Sequence, residues 1–95
     1  MDKKTEIQSA VFERLISHLQ KESSVQNIDM MILSGFCRNC LSRWYQEEAE
    51  KMGEEINPDK ARNIVYGMPY EEWKEKNQKP ATQEQLDQMN ARKNK

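Results

Sequence analysis

Two cysteines stand three residues apart in the stretch GFCRNCLSRWY (residues 35–45), and the chain has no others. Cysteines at this spacing occur as paired thiolates in zinc sites and as dithiol pairs in redox proteins. They also occur as small buried apolar residues that do no chemistry. The three interpretations make different demands on the helix that carries Cys37 and Cys40.

A zinc site at Cys37 and Cys40 needs further ligands, and the sequence offers few. His18 is the only histidine. If the first two helices form a hairpin, His18 lies about 10 Å short of Cys37, at a rise of ~1.5 Å per residue. Glu13 lies nearer the right level, but on the polar side of the first helix. A zinc–thiolate site is therefore expected only between two protomers, and no other cofactor is predicted.

A redox pair makes a different demand, because a disulfide deep inside a regular helix is strained. In thioredoxin-like pairs the first cysteine lies at a helix N-terminus, where the helix dipole lowers its pKa. Here that arrangement requires the helix to break at Ser34-Gly35, with Ser34 as a new cap and Arg38 beside the thiolate. Glycine is unfavourable in a helix interior by about 1 kcal/mol relative to alanine, which permits the break. The strand that precedes such pairs in the thioredoxin fold is missing.

The favoured interpretation is that both cysteines pack in the core of one continuous helix. They extend the apolar stripe that runs from Leu33 to Leu41 and Trp44, and they are small enough for close helix packing.

A second group of candidates surrounds the turn GMPY (residues 67–70). Aromatic rings and a proline here can form a rigid surface for a partner or a small ligand. The favoured alternative is that Tyr70 and Trp73 hold a short helix on the rest of the fold. The candidate partner-surface residues are Tyr66, Met68, Pro69, Tyr70 and Trp73.

The remaining polar candidates are interpreted as structural. The segment Gln26-Asn27-Ile28-Asp29 has oxygen atoms that a cation can bind, but such residues more often cap a helix. His18 has no nucleophile or orienting carboxylate in its sequence context, so we expect it on a half-exposed helix face. Arg38, Arg43 and Arg62 are expected to be separate surface charges.

The elements that position these residues are all predicted to be helices, because no segment alternates as a strand does. Thr5 caps a first helix that ends near residues 21–24. Its apolar stripe consists of Ile7, Val11, Leu15 and Leu19, widened by Phe12 and Ile16. A second helix runs from about Asn27 to Gly53 and forms an antiparallel hairpin with the first.

Local signals predict three more helices. Asn57-Pro58 starts a third, and Gly67 closes it. Pro69 opens a fourth, and the capping box from Thr82 to Gln85 starts a weakly apolar last one. The prediction is a single all-α domain of about five helices over residues 1–95, with a frayed tail at about 90–95.

The composition limits the function. With 36% hydrophobic and 33% charged residues among 95, and a mean hydropathy of −1.07, the chain buries only a modest core. Its net charge of −1 gives no field that attracts nucleic acid or an anionic membrane. No apolar segment is long enough for a signal or a membrane span, so we expect a cytoplasmic protein with reduced cysteines.

Two stretches carry a resemblance to a known family. VQNIDMMILSGFCRNCLSRWY and YGMPYEEWKEKNQ resemble the signature stretches of a bacterial family of small proteins catalogued as domain of unknown function 1244. The resemblance covers nearly the whole chain. It implies a compact helical protein from Gram-negative bacteria. The family has no assigned activity and offers no catalytic residues to carry over, so the resemblance leaves the function open.

These observations favour an interaction or regulatory module over an enzyme. The apolar stripe from Met31 to Tyr45 exceeds what one short first helix can cover, which predicts a homodimer or another protein partner. The alternative is a thiol-dependent activity at Cys37 and Cys40, either redox or zinc-bound. The two hypotheses differ in whether Gly35 interrupts the second helix and exposes Cys37.

Overall fold

The computed structural model describes residues 2–93, which form six α-helices and no strand. The helices are α1 (Lys3–Lys21), α2 (Asn27–Ser34), α3 (Arg38–Lys51), α4 (Pro58–Tyr66), α5 (Tyr70–Asn77) and α6 (Gln83–Lys93). The all-α prediction is confirmed. The predicted tail at about 90–95 is helical through Lys93, and positions 94 and 95 lie outside the described residues.

The predicted second helix is two helices, separated at Gly35. The backbone of Gly35 has a φ of 80°, in the left-handed region that closes helices and that glycine adopts without steric cost. Its N–H donates to the Met31 carbonyl at 2.9 Å. Cys37 is extended and stands at the N-cap of α3. The prediction of one continuous helix is therefore wrong, and the helix count rises from about five to six.

The other helix boundaries follow their local signals. The Asn57 side chain accepts a hydrogen bond from the Lys60 N–H at 2.8 Å, and Gly67 closes α4 with a φ of 74°. Thr82 and Gln85 each bond the other's backbone N–H, at 3.1 and 2.8 Å. The predicted capping box is thus present, and it starts α6.

The first helix departs from prediction at its cap and along its stripe. Asp2 rather than Thr5 caps α1, and its carboxylate accepts the Thr5 N–H at 2.7 Å. The carboxylate of Asp2 stands one turn earlier and reaches the free N–H groups of the first turn. Only the C-terminal part of the stripe is covered, by contacts of Ile16, Phe12 and Leu19. Three members stay exposed, namely Ile7, Val11 and Leu15.

An antiparallel hairpin is present, but α3 and α4 form it, rather than the first two predicted helices. The Gln46 side chain donates to the Ile56 carbonyl beside the connecting loop. Leu41 and Val65, farther from the loop, share the core. Helix α1 packs on α4, and α2 packs on α6. Because the chain turns at Gly35, α2 leaves the position beside α1 that the prediction gave it.

The core is built around α4 and the aromatic turn that follows it. Leu41, Val65, Tyr66 and Trp73 are its buried cluster. The rings of Tyr66 and Trp73 meet edge to face, 4.9 Å apart, an arrangement that aromatic pairs prefer. Between residues 2 and 93, no helix combines the length and the apolar character needed to cross a membrane.

Candidate functional site

The cysteine pair lies at the start of α3, not within a helix. Cys37 is the N-cap residue, Cys40 stands in the first turn, and their Sγ atoms are 3.9 Å apart. Both are free thiols. Cys37 is only 8% exposed, whereas Cys40 is half-buried. The helix break at Gly35 that a redox site requires is therefore present. The exposure of Cys37 that such a site also requires is not.

Burial dominates the electrostatics of Cys37. It raises the pKa of the thiol above its ordinary value, and the neighbouring Cys40 thiol raises it further, while the N–H groups of Cys40 and Asn39 oppose the shift. A helix N-terminus lowers the pKa of a thiol because it stabilises the thiolate. Here desolvation outweighs that contribution, so Cys37 is a protonated thiol at neutral pH.

A third sulfur atom lies beside the pair. Met31, on α2, places its Sδ 3.8 Å from the Sγ of Cys40. The turn at Gly35 brings the last turn of α2 against the first turn of α3, which creates this contact. Sequence reasoning counted Met31 only as an apolar stripe residue, and it could not see the contact because it treated α2 and α3 as one helix.

The two residues that the sequence analysis considered and set aside as zinc ligands, His18 and Glu13, do not join the cysteines. Over the described residues, no three side chains of the types His, Cys, Asp and Glu gather closely enough to hold a metal ion. His18 and Glu13 are both exposed on α1.

Arg38 is buried, contrary to the prediction of a surface charge. It is 1% exposed, and its guanidinium donates to the Val25 carbonyl at 2.7 Å, the Glu22 carbonyl at 2.8 Å and the Asn27 Oδ1 at 2.9 Å. It also lies over the Trp73 ring, 4.9 Å from the centroid. All three acceptors are uncharged. Burial lowers the pKa of Arg38, yet a guanidinium stays charged in proteins.

The polar segment at residues 26–29 is tied into the fold by hydrogen bonds. Asn27 donates to the Tyr66 hydroxyl at 3.1 Å, and this hydroxyl donates to Asn39 at 2.7 Å. Gln26 donates to the Asn77 carbonyl at 2.9 Å. These side chains join α2, α3, α4 and α5, which accounts for their polarity without a cation. Neither Asn27 nor Asp29 is a helix cap, since Gln26 holds that position.

Two of the five partner-surface candidates are core residues. Tyr66 and Trp73 are each 2% exposed, so neither ring is available to a partner. The turn at Gly67 folds α5 back over α4, which places Tyr66 and Trp73 in the core, as the favoured interpretation expected of Trp73. Met68 and Tyr70 are half-buried against the core, and Pro69 alone is exposed.

A mainly apolar groove of about 470 Å³ lies beside α3. We call it the apolar groove; it is lined by Phe12, Leu41, Trp44, Tyr45, Met52 and Ile56. Trp44 is 44% and Met52 is 78% exposed. The predicted exposed stripe ended at Tyr45, whereas the exposed apolar surface continues to Met52, which sequence reasoning missed.

The sulfur cluster, formed by Met31, Cys37 and Cys40, and the buried Arg38 both lie within a segment that matches a known family. Residues 25–91, well over half of the chain, match the family described as protein of unknown function (DUF1244). The chain belongs to the DUF1244 family. The match to DUF1244 begins after α1, so the exposed stripe of α1 lies outside it. Among curated proteins, no match to the chain is found.

Proposed function

We propose that this DUF1244 protein is an interaction module that forms a homodimer through the apolar groove and the exposed stripe of α1. The observation that carries the proposal is the position of Phe12. Its ring lines the groove, while Ile7, Val11 and Leu15 are exposed on the same helix. The groove and the stripe therefore share helix α1, and exposed apolar surface of this kind is typical of interaction sites.

A second copy of the chain is the occupant that fits best. Apolar grooves bind the apolar face of an amphipathic helix, and Ile7, Val11 and Leu15 form such a face at positions i, i+4 and i+8. One chain thus carries both the groove and a helix suited to it, so a two-fold axis can pair each with its counterpart.

The charges beside these two surfaces are complementary. Lys3 and Lys4 are exposed in the first turn of α1, next to the stripe. Glu48 and Glu54 line the apolar groove, and Glu48 also contacts Lys51. When the stripe of one copy enters the groove of the other, lysines approach carboxylates. Attraction of this sign favours the correct register and speeds association.

Light scattering at micromolar concentration tests the proposal. We expect a dimer mass for the wild-type chain and a monomer mass for Val11→Glu and for Met52→Glu. Both side chains are largely exposed in the single chain, so their replacement leaves the fold intact. In the dimer each substitution buries two unpaired charges, one per copy, at a cost of several kcal/mol each.

The matched control is Leu33→Glu. Leu33 is 85% exposed on α2 and does not line the groove, so this variant stays dimeric. A monomer mass for the wild type contradicts the proposal. So does a dimer that survives both groove and stripe substitutions.

One observation favours the alternative, a thiol-dependent activity at Cys37 and Cys40. The pair stands at a helix start, where a disulfide can form with less strain than inside a helix. If the pair is redox-active, mild oxidant converts both thiols to one intramolecular disulfide without loss of helicity, and a thiol reductant reverses it. Loss of structure on oxidation excludes this role. We also propose a cytoplasmic location, where cysteines stay reduced.

A further inference from the structure

At the junction of α2 and α3, the Cys40 sulfur lies at metal-ligand spacing from two other sulfur atoms. The Cys37 and Cys40 Sγ atoms are 3.9 Å apart, and the Met31 Sδ lies 3.8 Å from the Cys40 Sγ. Metal–thiolate bonds are about 2.3 Å long, so three sulfurs around one ion in a plane lie about 4.0 Å from one another. The two distances, which meet at Cys40, agree with two sides of that triangle to within about 0.2 Å.

The chemical types of the ligands select the metal. Thiolate and thioether sulfurs are soft ligands, and a set that includes methionine suits Cu(I). A structural zinc site takes four ligands from thiolate, imidazole or carboxylate groups. Over residues 2–93, no third residue of those types joins the two cysteines. The set of two thiols and one thioether therefore fits a three-coordinate soft ion better than tetrahedral zinc.

The charge around the cluster points to a monovalent ion. Arg38 follows Cys37 directly, is 1% exposed, and donates only to uncharged oxygens. A buried charge without a counter-charge is unfavourable. Two thiolates and one monovalent cation together carry one negative charge, opposite in sign to the charge of the buried arginine that follows Cys37. A divalent ion on the same two thiolates leaves the arginine without a counter-charge.

An entry path reaches the cluster from the surface. Met31 and Cys37 line a cavity of about 890 Å³ that lies between α2, α5 and α6, and Met89 lines the same cavity from α6. An ion can therefore reach two of the three sulfurs without unfolding of the helices. Without that path, the burial of Cys37 would keep a metal out.

We propose that Met31, Cys37 and Cys40 bind one Cu(I) ion within a single chain. In the binding step two S–H bonds break, two Cu–thiolate bonds form, and the Met31 sulfur donates a lone pair. Two protons leave to solvent, and the oxidation state of copper is unchanged. The site is independent of the homodimer, because all three ligands come from one chain.

Competition for Cu(I) tests this site. The reduced protein, kept free of oxygen, is titrated against the coloured Cu(I) complex of bicinchoninate, and loss of colour reports the transfer. We expect one ion per chain and X-ray absorption that shows sulfur neighbours only. Because two protons are released, the apparent affinity rises about 100-fold per pH unit below the thiol pKa values.

Substitutions separate the three ligands from the rest of the chain. Cys40→Ser lowers the affinity by at least about 100-fold, since even outer partners of a metal contribute 10–100-fold. Met31→Leu, which keeps the side-chain volume, lowers it about 10-fold with an unchanged circular dichroism spectrum. The matched control is Met52→Leu, because Met52 is 78% exposed and remote from the cluster; this variant keeps the wild-type affinity.

Several results overturn the site. They are a failure to withdraw copper from the indicator, an unchanged affinity in Met31→Leu, and zinc bound so tightly that one equivalent of Cu(I) leaves it in place. One ion per two chains contradicts the site too, because thiolates of both copies then share the metal. The same titration on the Val11→Glu monomer gives the wild-type affinity if the site is right, whatever the fate of the homodimer.

Discussion

Replacement of Arg38 by methionine is the substitution that best tests the buried network. Methionine fills much of the same space but removes every donor of the guanidinium. The matched control is Arg43→Met, because Arg43 is an exposed arginine five residues later on the same helix. The two variants make the same chemical change and differ only in what surrounds the side chain.

The size of the expected loss of stability depends on which of the three acceptor oxygens keep another hydrogen-bond donor when the guanidinium is removed. The Glu22 carbonyl still accepts from the Val25 N–H, at 3.1 Å, and Asn27 Oδ1 still accepts from the Arg38 N–H, at 3.4 Å. No other hydrogen bond to the Val25 carbonyl is found in the described part of the chain. One unpaired, part-buried carbonyl is unfavourable by about 1–3 kcal/mol, and the desolvated cation–π contact with Trp73 adds about 2 kcal/mol.

Release of a buried charge offsets part of this loss, so we expect Arg38→Met to lower the free energy of unfolding by about 3 kcal/mol. Arg43→Met should change it by less than ~0.5 kcal/mol, as surface substitutions do. Urea unfolding, followed by circular dichroism, measures both, and an unchanged slope against urea shows that the comparison is valid. Equal effects of the two substitutions would refute the account of Arg38 as a buried anchor.

Three further predictions concern the core and the thiols. Trp73→Ala should lower the free energy of unfolding by ~3 kcal/mol or more and leave the dimer mass unchanged; a loss of a few tenths would show that the ring is not buried. Burial raises the pKa of Tyr66 above its ordinary 10.0, so the unfolded chain ionises first, and stability should fall as the pH rises above about 10. Tyr66→Phe should remove that loss, and an unchanged alkaline profile would contradict the assignment. At pH 7 a thiol reagent should label Cys40 faster than Cys37, with the Cys37 rate rising steeply with pH; faster labelling of Cys37 would mean an activated thiol.

The helix ends were predictable where one local sequence signal determines the backbone conformation. Asn57-Pro58, Gly67 and the box from Thr82 to Gln85 act through hydrogen bonds within a few residues, and all three mark helix boundaries as predicted. The break at Gly35 has an equally local cause. It was considered only as a requirement of the redox alternative, because apolar residues continue at helical spacing on both sides of it and their periodicity favoured one continuous helix.

The contents of the candidate site depend on packing between distant parts of the chain. The burial of Arg38 requires the carbonyls that follow α1, and a single arginine in a sequence gives no sign of them. The contact between Met31 and Cys40 likewise exists only because the chain reverses at Gly35. The uncovered half of α1 has a related cause, since its predicted partner, α2, packs on α6 instead.

The homodimer is the central claim, and an intermolecular nuclear Overhauser experiment tests it most directly. A sample that mixes isotope-labelled and unlabelled chains reports only contacts between copies. We predict cross-peaks from the Val11 methyl groups of one copy to the Trp44 ring of the other, and their loss in Met52→Glu. A spectrum with no contact between copies, at a concentration where the wild type is fully associated, would contradict the proposed interface.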